Sequence, residues 1–148
     1  MSNSAAFLDQ HVLSEEVFGP ASLVVACKDI AEMRRIAEEL EGQLTATLLM
    51  DEADLDAAQQ LLPVLERKVG RILANGYPTG VEVCSAMVHG GPFPSTSDGR
   101  STSVGTGAIT RFLRPVSYQN LSQVLLPEVL RDNGSAKWLR RDGELTRN

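Results

Sequence analysis

Ser14-Glu15-Glu16-Val17-Phe18-Gly19-Pro20-Ala21-Ser22-Leu23-Val24-Val25 sets two carboxylates before an aromatic ring, a Gly-Pro bend and a short apolar run. The chain therefore presents polar groups at a turn and then enters a buried strand over residues 22 to 26. That layout predicts a site at the edge of a sheet. Read from the residues alone, Glu15 and Glu16 are either ligand groups at such a site or solvated charges ahead of a strand. Phe18 is either a ring facing a ligand or part of the core.

Downstream, the apolar spacing changes from strand to helix and back. Asp29, with Glu32 three residues later, caps a helix whose apolar positions Ile30, Met33, Ile36, Ala37 and Leu40 share one face. Gly42 is expected to end it as a left-handed cap. Residues 43 to 50 read as a strand, rich in Leu and Thr. Asp51 caps a second helix with Leu55, Ala58, Leu61, Leu62 and Leu65 inward, kinked at Pro63 and closed by Gly70, before a third strand over residues 71 to 75. The order β-α-β-α-β with short links predicts an α/β fold, a three-layer parallel sheet with crossover helices. Residues 1 to 13 read as a lead-in in which Phe7, Leu8, Val12 and Leu13 touch the core without a clear period.

After Asn75 the composition shifts to glycine, proline, serine and threonine, so residues 76 to 107 read as a long irregular loop. A loop of that length inside a compact domain is usually functional. Its origin at a strand end places it at the carboxyl edge of a parallel sheet, where ligands bind; a plain surface loop opened by an Asn-Gly turn is the alternative. A short helix is expected over residues 108 to 113, an extended segment over 115 to 120, and a helix over 122 to 130 interrupted by Pro127. In the polar tail, Trp138 and Leu139 mark a docking strand or a frayed end.

The bulk properties exclude several classes. The 148 residues are 43% hydrophobic with a net charge of −5, and no basic stripe with interleaved aromatics occurs, which argues against nucleic acid and anionic membranes as partners. No run of about 18 apolar residues exists and the first residues lack the pattern of a secretion signal, so a cytoplasmic protein is expected. Cys27 and Cys84 read as reduced thiols. With two histidines and no C-x-x-C or H-x-x-x-H spacing, no metal site is expected. Cys84 has no His or Lys beside it in sequence to activate it, and no catalytic residue is assigned in this chain. His89, beside Gly90-Gly91, is a base or an anion contact at most. Residues 99 to 107, with Arg100, either cradle an anion or fasten the loop.

The Glu15-Glu16-Val17-Phe18-Gly19-Pro20 segment resembles the E-E-x-F-G-P signature of the NAD(P)-dependent aldehyde dehydrogenase superfamily, and the residues downstream of it resemble the C-terminal part of that family's catalytic domain. The stretches from Asn75 to Cys84 and from His89 to Gly105 look like loops of the subgroup that acts on α-ketoglutaric semialdehyde (2,5-dioxovalerate). The resemblance implies that Glu16 accepts hydrogen bonds from the hydroxyls of the nicotinamide ribose of NAD or NADP and that Phe18 packs beside the nicotinamide ring. A carboxylate suits a vicinal diol, and an aromatic face restricts a flexible cofactor arm. It also implies that the loop after Asn75 shapes the substrate entrance, with Pro78, Thr79, Val81 and Cys84 as contacts for a small-molecule aldehyde.

In that family the nucleophilic cysteine, the general-base glutamate and the Rossmann domain belong to other motifs, none of which occurs in these residues. The expectation is therefore a C-terminal segment, inactive alone, of an enzyme that oxidises an aldehyde to the acid. Its division would be a lead-in (1–13), part of the catalytic domain (14–113), and an oligomerisation strand, helix and tail (114–148). Family members pair a C-terminal strand with a neighbouring subunit, which implies a homo-oligomer through residues 114 to 120 or the tail. The other reading is a stand-alone, non-enzymatic α/β binding or assembly module.

Overall fold

The computed structural model describes residues 1–135 and 138–147. Its elements divide between two compact units, Met1–Leu113 and Arg114–Asn148.

The first unit is mixed α/β. It contains β1 (Ser2–Asn3), α1 (Ser4–Asp9), β2 (Val25–Ala26), α2 (Ile30–Glu39), β3 (Gln43–Leu48), α3 (Leu55–Lys68) and β4 (Val69–Ala74). The predicted order β-α-β-α-β is present from β2 to β4, but the strands form small two-stranded sheets rather than one continuous sheet. β3 and β4 pair in parallel, from Gln43↔Val69 to Leu48↔Ala74, whereas β2 pairs in parallel with β1. The apolar run expected as a buried strand keeps only two ladder residues, and Leu23 and Val24 are exposed.

The lead-in is in fact a helix. Asn3 Oδ1 accepts from the Ala6 backbone N–H at 2.9 Å and starts α1, which buries Phe7 and Ser4. The Ser4 hydroxyl donates to the Glu32 carboxylate on α2, so this short helix is tied to the next by a charge-assisted bond.

α2 begins as expected: Asp29 Oδ1 accepts from Glu32 N at 2.8 Å. It ends differently, because Gly42 is not left-handed. The cap is Leu40, in extended geometry, and its free carbonyl accepts from Lys68 Nζ at 2.7 Å. A lysine from the end of α3 thus supplies the donor that a glycine cap would otherwise have provided. Gly70 likewise lies inside β4 rather than closing α3. α3 continues through Pro63, and the Pro63 carbonyl accepts from Arg67 Nη1 at 2.5 Å.

The core is small. Ile36, Ala37, Ala58, Leu61, Val64 and Val69 are buried between α2, α3 and β4, with Val64 only 1% exposed. An Arg67–Glu38 ion pair joins the two helices at their exposed edge. The expected inward residues Leu55 and Met33 remain exposed. The accessible surface totals 11621 Å², against roughly 7,400 Å² for a typical folded monomer of this mass.

The second unit has no α-helix among its described residues. Two 3₁₀ turns, Gln123–Leu125 and Glu128–Leu130, flank Pro127 where a helix was expected, since proline removes the donor that would join them. Residues 115 to 120 pair with no strand among the described residues. The regular element is instead a hairpin, β5 (Trp138–Arg141) with β6 (Glu144–Arg147). Its turn is Asp142-Gly143, both at positive φ (50° and 89°), the conformation that Asp-Gly adopts in a tight hairpin. Arg147 lies 6.0 Å from the centre of the Trp138 ring.

Candidate functional site

The loop after β4 sets the geometry of the first unit. Asn75 takes the left-handed conformation (φ 51°), and its Oδ1 accepts from Met50 N at 2.8 Å. Its own N–H donates to Leu48 O at 2.9 Å. Asn75 therefore locks the carboxyl ends of β3 and β4 together, a structural role for a residue at which a ligand position was one of two readings.

From there the loop runs back to the amino ends of the same strands. It passes so close that glycines are required on both sides. A Cβ on Gly70 would overlap the Gly90 carbonyl oxygen, and one on Gly42 the carbonyl oxygens of Pro92 and Phe93. Glycine at both contacts allows backbone to lie directly on backbone. The loop then fastens to itself: Thr102 Oγ1 accepts from His89 N at 2.8 Å, and Ser103 N and Oγ both donate to His89 O at 3.0 Å. Asp98 accepts from the Arg100 backbone N–H at 3.1 Å. That bond, followed by the Ser101 hydroxyl, holds its carboxyl below the usual range. The Arg100 guanidinium also lies 3.7 Å from Asp98 and is otherwise exposed. Nδ1 of His89 is buried without a partner among the described residues.

This return path builds a groove of about 600 Å³ at the amino end of β3. One wall is Ser14, Glu15 and Glu16; the other is residues 41 to 45 with Pro94 and Ser95. Glu15 faces His11 at 3.7 Å. Glu16 has no hydrogen-bond or ion-pair partner among the described residues, so its carboxylate is available to a ligand. Glu41 adds a third carboxylate, and Ser14, Gln43, Thr45 and Ser95 add neutral polar groups. Such a lining fits a hydroxylated or cationic ligand and disfavours an anionic one.

The other expected site residues lie elsewhere. Phe18 is 96% exposed and does not line this groove. Nor do Pro78, Thr79, Val81 and Cys84. The carbonyls of Pro78 and Gly80 accept from the Arg71 guanidinium. The Cys84 carbonyl accepts from Thr106 N at 3.3 Å, and its half-buried thiol is free. Burial, then Glu32 and Asp29, pushes the Cys27 thiol up, which leaves it a poor nucleophile. Sequence reasoning missed Gln43, Thr45, Ser95 and Arg71; the last was legible as an arginine inside a predicted strand, an exposed-residue type where a half-buried one belongs. Among the described residues no group of His, Cys, Asp and Glu could hold a metal ion, and no helix is long and apolar enough to cross a membrane.

The comparisons with known proteins bear out the aldehyde dehydrogenase resemblance. Over 140 residues, 94% of this chain, the sequence is 61% identical to alpha-ketoglutaric semialdehyde dehydrogenase 2 of Azospirillum brasilense. Over 137 residues, 92% of the chain, it is 61% identical to the alpha-ketoglutaric semialdehyde dehydrogenase of Acinetobacter baylyi. The chain spans about a quarter of the length of these curated relatives, 27% and 26%. No family model matches it.

Proposed function

We propose that these residues are the C-terminal segment of an NAD(P)-dependent aldehyde dehydrogenase that oxidises 2,5-dioxovalerate to the corresponding acid. The identity across almost the whole chain carries this reading, and the Glu16 groove supports it. In the complete enzyme, sequence outside these residues supplies the nucleophile and the dinucleotide-binding domain, and the two-stranded ladders extend into a larger parallel sheet. The excess of exposed apolar surface is what that larger body and a neighbouring subunit would cover.

Glu16 is assigned to the nicotinamide ribose. Its partner-free carboxylate accepts from two vicinal hydroxyls, and the neighbouring Glu15 and Glu41 suit the positive charge of an oxidised nicotinamide ring. The same three carboxylates exclude the pyrophosphate from this groove. When bound, NAD(P)+ supplies the hydride acceptor. This chain's part is to orient: Glu16 fixes the ribose, Phe18 gives the ring an apolar face, and Pro78, Thr79, Val81 and Cys84 border the aldehyde's path.

The test is a chimera in which this chain replaces the matching segment of the Azospirillum relative. Aldehyde-dependent NAD(P)H formation is expected, and Glu16→Gln should raise the cofactor KM about tenfold with a smaller change in the aldehyde KM. A folded but inactive chimera, or an unchanged cofactor KM, would sink the assignment. The 148-residue chain alone is expected to give no NAD(P)H; turnover abolished by Cys84→Ala would instead make that thiol the nucleophile.

A further inference from the structure

Arg71 is an odd residue for its place. It lies in β4 opposite Thr45, half-buried, where a cation is costly unless its donors are met. Two of them are met by a single stretch of the following loop: Nη1 donates to Gly80 O and Nη2 to Pro78 O, both at 2.9 Å. Nη1 also lies 3.6 Å from Met87 Sδ, at the far end of the same loop. Nε is buried and has no partner among the described residues.

The two bonded carbonyls flank the Thr79-Gly80 pair. Holding both at once fixes the 78–79 and 80–81 peptide planes on either side of that pair, and so restricts the direction in which the Thr79 side chain leaves the backbone. The planar fork of a guanidinium spans two acceptors in this way, whereas an ammonium acts as a single point donor. Apart from the Thr106 N–H, which donates to Cys84 O at 3.3 Å, the stretch of residues 76 to 87 has little else to hold it. It contains no regular structure, its internal Met87 N to Cys84 O bond is long at 3.4 Å, and Tyr77 and Val83 face solvent.

We infer that Arg71 is a positioning residue for substrate selection: its guanidinium clamps the loop of residues 76 to 87 to β4 and thereby sets where Pro78, Thr79 and Val81 meet the substrate. This rests on the assignment of that loop to the aldehyde side. Arg71 itself touches no substrate. Loosening the clamp should therefore weaken discrimination between a dicarbonyl acid and a plain aldehyde more than it slows the chemical step.

Two arms test this separately. In the isolated 148-residue chain, Arg71→Lys and Arg71→Ala should speed amide hydrogen exchange over residues 78 to 87 by about tenfold, with protection in β3, β4 and α3 unchanged. In the chimera, both variants should raise the KM for 2,5-dioxovalerate about tenfold, with smaller effects on kcat, on the cofactor KM and on the KM for propanal. Lys failing to rescue would separate the fork from mere charge. Unchanged loop exchange, loss of protection throughout the unit in both variants, or an equal effect on all kinetic constants would overturn the clamp. An inactive parent chimera would count against the proposed function, and the exchange arm would still decide the role of Arg71.

Discussion

The stretch from α2 to β4 and the stretch from Arg114 to Asn148 are both supplied with aliphatic residues, and they fare very differently. Val64 on α3 is 1% exposed, while Val124 and Leu125 are 74% and 67% exposed. In the first stretch each apolar face has an opposing one within reach: α2 meets α3, and α3 meets β4. In the second, Pro115 and Pro127 interrupt any helix that could gather its apolar residues on one face, and two 3₁₀ turns and a hairpin result. Apolar residues contribute stability only where a second layer receives them.

The sharpest way to break this contrast is at the backbone seam beside α3. Gly70→Ala drives a methyl group into the Gly90 carbonyl oxygen, and either β4 or the loop must move. A loss of about 3 kcal/mol is expected in chemical denaturation. A loss below about 0.5 kcal/mol would show that the seam is loose and that the groove built upon it is not fixed.

A smaller effect compares the two stretches directly. Val64→Ala should cost about 2 kcal/mol through lost burial and a cavity, whereas Val124→Ala should stay within about 0.5 kcal/mol. Equal effects, measured on the same denaturation curves, would mean that the second unit has a core of its own.

The smallest effect is a pH dependence. The Ser4 hydroxyl first, and the Lys28 backbone N–H second (2.6 Å), hold the Glu32 carboxyl below its ordinary value of 4.5. A depressed folded pKa contributes stability that is complete above the ordinary value and disappears as pH falls through the lowered one. Ser4→Ala should therefore be less stable than the parent at neutral pH, with the gap narrowing below pH 4.5. A gap that does not change with pH would mean that α1 is held by Phe7 rather than by this bond.

Much of the fold was legible because its signals are local. Asp29 caps α2 as its spacing predicts, whereas Asp51, expected to cap α3, caps the 3₁₀ turn Glu52–Asp54 that leads into it. The strand and helix periods locate α2, β3, α3 and β4 to within about three residues. The misses have physical causes. Gly42 and Gly70 look like helix terminators but serve another end: they let a distant loop lie against the strands, a contact with no trace in local sequence. The Asn3 cap of α1 and the Asp142-Gly143 turn did carry local signals; Asn3 precedes a run too short to show a period, and the turn is flanked by strands too polar to read as such.

The candidate site divides in the same way. Glu16 and Phe18 were found from a motif, and the motif says nothing of what faces them. The chain's own sequence determined the β-α-β-α-β order, the capped helices, the irregular loop and the kinship with aldehyde dehydrogenases, because each is written in neighbouring residues. Tertiary structure alone decided that β2 pairs with β1, that the loop returns to the amino ends of β3 and β4, that Glu16 faces Gln43 and Ser95 across a groove, and that Arg71 holds the loop by two carbonyls. Those are contacts between residues distant along the chain, fixed by close approach and hydrogen-bond satisfaction rather than by any period in the sequence.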